Sequence, residues 1–310
     1  AIVPRRRCAL RKMLLAWLAV PKGWTHRVSV DSDASQSEFK TSQKGGFTVA
    51  LHRNGASLPA VTLSLSEEDP MLAFSTVLRR ARSLDGLAAG VLLHNSDGRP
   101  IKSLAPGSVD VYALRPGELW VWPSVNRTMS ISGREYRLES LSSSPRVVRI
   151  SSLLDTNECD VLVASANGRW QSSGSFDTST RAHYDLSDGR RVSDTAWAGL
   201  HWGRVREGVL TNATVELVQS RATDAARVHL GHAEPWQVVR YQAGGYQRHH
   251  QDSYVDPTLG TARHATVIVY LSDVPASNGG ATNFPHADRD SDEYDPESCS
   301  EGLSVCVTSP

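Results

Sequence analysis

The chain has no surplus of either charge: 33 lysines and arginines meet 33 aspartates and glutamates over 310 residues. It therefore makes no whole-chain electrostatic case for a nucleic-acid partner. No apolar run approaches the roughly 20 residues that a membrane-spanning helix needs. Cysteine is scarce. Cys8, Cys159, Cys299 and Cys306 include no C-x-x-C pair, which argues against a structural zinc site. Cys299 and Cys306 flank a short segment and would close a small disulfide loop in an oxidising compartment; two unrelated thiols is the other reading.

What is present begins with a basic block, Arg5-Arg6-Arg7 through Arg11-Lys12, ahead of the short apolar run Met13–Val20. That order resembles the start of a secretory signal. A frayed basic tail or a short amphipathic helix fits the same residues, so the endoplasmic reticulum with the secretory pathway and the cytoplasm both stay open as locations. Asn126-Arg-Thr128 and Asn212-Ala-Thr214 match the N-glycosylation acceptor, a pattern too common to decide the compartment.

Residues 26–45 are rich in Ser, Asp, Gln and Lys and read as a polar linker, so 1–45 is taken as a basic segment plus linker. Phe47–Leu51 and Val61–Leu65 alternate as strands around an Arg53-Asn54-Gly55 turn. Acids and Pro70 announce a helix on which Met71, Phe74, Leu78 and Ala81 recur at helical spacing, with Gly86 as its stop. Gly90–His94, Val109–Leu114 and Glu118–Trp122 supply further strand material. Hairpin, helix and more strands predict a β-grasp-like module over 46–125, faintly similar to doublecortin-type modules, with a protein-interaction or spacer role. Residues 126–144 read as a connector, and 145–310 as the second domain. There Val147–Ile150 forms a strand, and Asp155 and Glu158 stand at capping-box spacing before a helix.

The chemistry concentrates between Tyr241 and Pro285. Gly244-Gly245 makes a bend, and His250-x-Asp252 follows. On an extended strand residues i and i+2 share a face, so an imidazole and a carboxylate can reach one metal ion. Together they are two thirds of the 2-His-1-carboxylate facial triad, which holds Fe(II) and leaves positions open. Strand alternation selects His250 over His249 as the partner of Asp252. The apolar strand Thr266–Leu271 and the segment Gly279-Gly280-Ala-Thr282-Asn-Phe284-Pro285 come next.

With Tyr241, Arg263, Thr266 and Tyr270 in register, this stretch resembles the prolyl 4-hydroxylase branch of the Fe(II)/2-oxoglutarate dioxygenases. The likeness extends back through Pro145, Glu158-Cys159 and Arg191-Val-Ser193, about half of the chain. It implies an α+β chain whose second domain is an incomplete double-stranded β-helix (jelly-roll, cupin-like). It implies His250 and Asp252 as metal ligands, with Tyr241, Tyr270 and Thr282 lining the co-substrate pocket. Core positions are the alternative for both tyrosines. Fe(II), 2-oxoglutarate, O2 and ascorbate are the implied cofactors, succinate and CO2 the co-products, and a proline-containing protein or peptide the substrate. Two departures stand out. Gly245 occupies a place usually held by Gln, with Tyr246 one position early. The second metal histidine and the co-substrate lysine are expected beyond Pro310. His286, in a loop after Phe284-Pro285, is a weak substitute for that histidine. The acids of 286–301 read as a solvated loop and lack the Gly and Glu spacing of an EF-hand. The rival reading is a non-catalytic hydroxylase-fold protein that binds peptides or proteins.

Overall fold

The computed structural model describes residues 12–17, 47–66, 69–84, 87, 90–105, 107–177, 182–184, 191–205, 209–252, 263–275, 278–284, 287 and 305–307. His286, the acids of 286–301, the polar 26–45 stretch, Cys8 and Cys299 lie outside them. The chain forms two compact units, Ala19–Pro123 and Ala1–Leu18 with Ser124–Pro310. The first element, β1 (Lys12–Trp17), is a strand of the latter unit. An amphipathic helix was one expectation here. Six residues are too few to stabilise a helix alone, whereas between two strands each backbone group finds a partner.

The unit Ala19–Pro123 is built from β2 (Phe47–Arg53), β3 (Val61–Leu65), α1 (Pro70–Arg82), β4 (Leu92–His94) and β5 (Gly107–Leu114). The sheet order is β3-β2-β5-β4, with β2 parallel to β5 and the other pairs antiparallel. The parallel pair needs a crossover, and α1 lies within it. Phe47, Val49 and Leu51 alternate into a core with Val111, Ala113 and the α1 stripe Ala73, Val77 and Ala81. Asp69 caps α1 by accepting from the Met71 N–H at 2.8 Å. The spacing argument put Met71 on the apolar face, but it is 58% exposed. The small residues at i, i+4 and i+8 let the helix sit close to the sheet, while Phe74 and Leu78 pack at its flank.

On the other face of that sheet, register places His94, Tyr112 and His52 in one row across β4, β5 and β2. Glu118–Trp122, expected as a strand, is instead an irregular cover over this row. Its Trp120 ring meets Tyr112 edge-on at 5.1 Å and Trp122 at 5.5 Å, and both tryptophans are buried. The backbone of the cover is satisfied by a side chain. Asn54 Nδ2 donates to the Leu119 carbonyl at 2.7 Å, and its Oδ1 accepts from the Val121 N–H at 2.9 Å.

After β1 the other unit continues with β6 (Arg127–Ile131), β7 (Arg134–Ser143) and β8 (Arg146–Ser151), an antiparallel meander where the sequence suggested a connector. Ser132 and Gly133, both at positive φ (50° and 77°), form the two-residue turn between the first two strands. Serine-rich β7 hid its strand character, although Tyr136, Leu138 and Ser140 are buried at alternate positions. Then come α2 (Thr156–Ser165), β9 (Gln171–Ser172), β10 (Ser175–Asp177), β11 (Ala182–Tyr184), β12 (Arg191–Val192), β13 (Asp194–Ala198) and α3 (Ala213–Ala225). The last five strands are β14 (Trp236–Arg240), β15 (Tyr246–Gln247), β16 (Ala265–Val269), β17 (Thr282–Phe284) and β18 (Val305–Val307).

The largest sheet has the order β16-β1-β8-β7-β6, and a second is β14-β13-β9; β10 pairs β11, β12 pairs β15 and β17 pairs β18. Under β16, Ile268, Tyr270 and Phe284 pack on buried Leu141, Val147 and Ala287. Helices α2 and α3 are joined by a buried ion pair. Arg221 Nη1 and Nη2 each donate at 2.7 Å to one oxygen of Glu158, and Nη1 also donates to the Leu153 carbonyl at 2.8 Å.

Candidate functional site

His250 and Asp252 come together. His250 Nε2 lies 2.8 Å from Asp252 Oδ1. They do so without the strand the sequence suggested, because β15 ends at Gln247 and residues 248–252 are irregular. His249 instead lines an open depression of about 460 Å³ with Tyr246, Gln247 and Arg248.

The imidazole is oriented from behind. His250 Nδ1 lies 2.9 Å from the Arg248 carbonyl. Oxygens thus face both ring nitrogens, an arrangement that favours the protonated ring. The hydrogen bond to Asp252 raises the His250 pKa from its ordinary value against the opposing pull of burial. Below the unfolded value of about 6.5 this pairing stabilises the chain, and its contribution is lost as pH rises through the higher folded value. On the same side, the Gln247 amide Nε2 lies 3.1 Å from His250 Nε2.

Asp252 is gripped from its other side, where the Thr266 hydroxyl donates to Oδ2 at 2.8 Å. Burial pushes the Asp252 carboxyl up, but the bonds from His250 and Thr266 outweigh it and hold the group below its usual value. Thr266 belongs to β16, so the carboxylate takes its position from the large sheet. Gln247 faces Arg191 in the register of β12 with β15.

Tyr241 joins the same group: its hydroxyl donates to Gln247 Oε1 at 3.2 Å. Tyr270 and Thr282 form a separate pair, with the Tyr270 hydroxyl donating to Thr282 Oγ1 at 2.7 Å. That bond ties the end of β16 to β17, and Tyr270 also packs in the core beneath them. Burial raises the Tyr270 pKa although Thr282 pulls against it.

Arg191 received no site role from the sequence. Its guanidinium is buried, interacts with Tyr241 and Asp252, and donates from Nε to Ser193 Oγ at 2.8 Å. Burial pushes it below its ordinary value, while Tyr241 and Asp252 pull it back. The Arg191-x-Ser193 spacing was the available signal, since it puts a cation and a hydroxyl on one face of a strand.

The bend before the site explains the Gly245 departure. Gly245 N–H donates to the Gln242 carbonyl at 2.8 Å, and a Cβ at position 245 would stand 2.9 Å from both the Gln242 and Val192 carbonyl oxygens. A side chain there would force the bend apart.

As a metal site the donor pair fits. Two ligand atoms about 2.1 Å from one ion at right angles are about 3.0 Å apart, and the observed N to O separation is 2.8 Å. A backbone carbonyl on the second imidazole nitrogen is the usual support for a ligating histidine. Among the described residues no third His, Cys, Asp or Glu completes a cluster.

Curated proteins are similar to the chain over about half of its length. Probable prolyl 4-hydroxylase 3 of Arabidopsis thaliana is 31% identical over 152 residues, 48% of this chain and 48% of that protein. Prolyl 4-hydroxylase subunit alpha-1 of Gallus gallus is 32% identical over 152 residues, 46% of this chain and 26% of that protein. About half of this chain is prolyl 4-hydroxylase-like. Probable prolyl 4-hydroxylase 10 of Arabidopsis thaliana matches 171 residues at 30% identity, 53% of this chain and 55% of that protein. The prolyl 4-hydroxylase-like chain thus spans about half the length of its plant relatives. No family model and no solved structure matches it. No helix among the described residues is long and apolar enough to cross a membrane.

Proposed function

We propose that the chain is the metal-bearing part of an Fe(II)- and 2-oxoglutarate-dependent dioxygenase that hydroxylates peptidyl proline. The observation that carries this reading is the convergence of His250 Nε2 and Asp252 Oδ1 at 2.8 Å, with Thr266 and the Arg248 carbonyl fixing the outer side of each ligand. Fold follows function here: unit Ser124–Pro310 with β1 is read as part of a double-stranded β-helix, and Ala19–Pro123 as a β-grasp-like recruiting or spacer module.

When bound, iron with 2-oxoglutarate and O2 would supply the hydroxylation, releasing succinate and CO2, with ascorbate keeping the metal reduced. The residues of the chain do the holding. His250, through Nε2, and Asp252 would hold the metal. Thr266 and the Arg248 carbonyl orient them, and Arg191 and Tyr241 place a cation and a hydroxyl beside them for an anionic or polar group. Tyr270 and Thr282, bonded to each other, are read as the far wall of the co-substrate pocket. The test is succinate release from 2-oxoglutarate with Fe(II) and proline-containing peptides, measured for this chain and for the longest product of its coding sequence. No succinate from either removes the enzymatic reading.

One observation favours a second reading. Two protein ligands tether an ion less firmly than three, and the described residues bring no third. A peptide-binding protein of the same fold that does not turn over would show proline-peptide affinity without dependence on iron.

A further inference from the structure

The strand that carries Thr266 is attached to the large sheet through the N-terminal segment. Among the described strands β16 pairs with β1 alone, and β1 in turn pairs with β8. The register is continuous on both edges, from Met13 opposite Val269 to Trp17 opposite Ala265, and from Lys12 opposite Ser151 to Trp17 opposite Arg146. Ala16 lies opposite Thr266 on one side and Val147 on the other. Thr266 is the residue that donates to Asp252. The chain of support therefore runs from β8 through β1 to β16, and from Thr266 to the carboxylate.

This central strand is supplied from far away in sequence. The whole of Ala19–Pro123 intervenes between β1 and the rest of its unit. A strand delivered on a long connection is held by its backbone pairing, because lengthening a connection adds only slowly to the entropy cost of closing it. Its departure would leave two facing edges, β8 and β16, with unpaired N–H and C=O groups. Such a gap accepts an extended segment by strand addition.

We propose that Lys12–Trp17 is a clamp strand: seated between β8 and β16 it fixes Thr266 against Asp252, and the slot it fills accepts the same segment as a separate peptide. The link to metal rests on the proposed function, while the strand claim stands on pairing alone. It also separates two fates of this stretch. A leader that is removed would leave the site unchanged when deleted; a clamp strand would not.

Hydrogen exchange by mass spectrometry on the full chain tests this. In the wild type, amides of β1 and β16 should be protected and should open together. Adjacent N–H groups in a strand point to opposite neighbours, so Leu14→Pro combined with Leu15→Pro withdraws a donor from each edge. That variant should lose at least tenfold protection across Ala265–Val269, keep protection in β5, and regain the loss when a synthetic peptide of residues 11–18 is added. Unchanged β16 protection in the variant overturns the proposal. Should the variant unfold its whole unit, the wild type decides: β16 protected while β1 exchanges like unfolded chain also overturns it. A Co(II) titration separates the two layers. Lost β16 protection with unaltered Co(II) affinity breaks the link to Asp252, and no Co(II) binding by the wild type removes the metal reading while leaving the strand claim to the exchange data.

Discussion

Replacing Arg221 with Met isolates the buried ion pair between α2 and α3. Arg221 and Glu158 side chains are 6% and 9% exposed, so solvent screens them little. Removing the guanidinium strips two charge-assisted bonds from Glu158 and one from the Leu153 carbonyl. What remains to the carboxylate is the Asp155 N–H, which donates to Oε2 at 3.0 Å as half of the α2 capping box. An uncompensated buried charge of this kind costs about 3–5 kcal/mol. Protection of α2 and α3 amides should therefore fall by roughly two to three and a half powers of ten, at about 1.4 kcal/mol per power. Hydrogen exchange is the right assay because a chain of two units does not promise one cooperative transition. The pair is better broken twice than once: Glu158→Leu with Arg221→Met should recover much of the loss, since a buried ion pair replaced by apolar groups is often near neutral. A single-variant loss below about 1 kcal/mol, or a double variant worse than either single, would refute the reasoning. Acid should act on the same contact. Burial pushes the Glu158 carboxyl up, but the Arg221 and Asp155 bonds bring it net below its ordinary value. Its contribution is then full above that ordinary value and lost as pH falls through the lower folded one.

Three further outcomes follow from single contacts. Gly245→Gln, which restores the residue usual in the resembling family, should destabilise the bend by about 1–3 kcal/mol through overpacking and reduce protection at Tyr246 and Gln247; an unchanged exchange rate there would show that the bend yields. Burial lowers the His94 pKa, so its neutral state is favoured by folding and Ala19–Pro123 should lose stability as pH drops below about 6.5; protection of β5 should track that loss in the wild type and stay flat in His94→Gln. Thr266→Val removes the hydroxyl that holds Asp252 and should weaken Co(II) binding up to tenfold, for about 0.5–1.5 kcal/mol, with affinity unchanged as the contrary result.

The sequence showed the elements whose signals are local. Alternation exposed β2 and β3, and the Asp155-to-Glu158 spacing announced a capping box that the structure contains. It paired His250 with Asp252 by strand alternation, and the structure brings the two together although residues 248–252 form no strand. It missed what depends on distant partners. Lys12–Trp17 carries no mark of strand or helix until β8 and β16 present their edges. Glu118–Trp122 looks like a strand by composition, but Asn54 takes its backbone bonds and turns it into a cover. Met71 sits at helical spacing with the apolar residues and faces solvent, because only the alanines and Val77 fit against the sheet. Arg191 was hidden for a similar reason: its meaning lies in Tyr241 and Asp252, which the chain brings to it from far downstream.

The most direct measurement of the central claim is an anaerobic calorimetric titration of Fe(II) into the chain and three single variants. The wild type and His249→Ala should each bind one equivalent, with binding lost in His250→Ala and in Asp252→Ala. Equal affinity of the wild type and His250→Ala would contradict it.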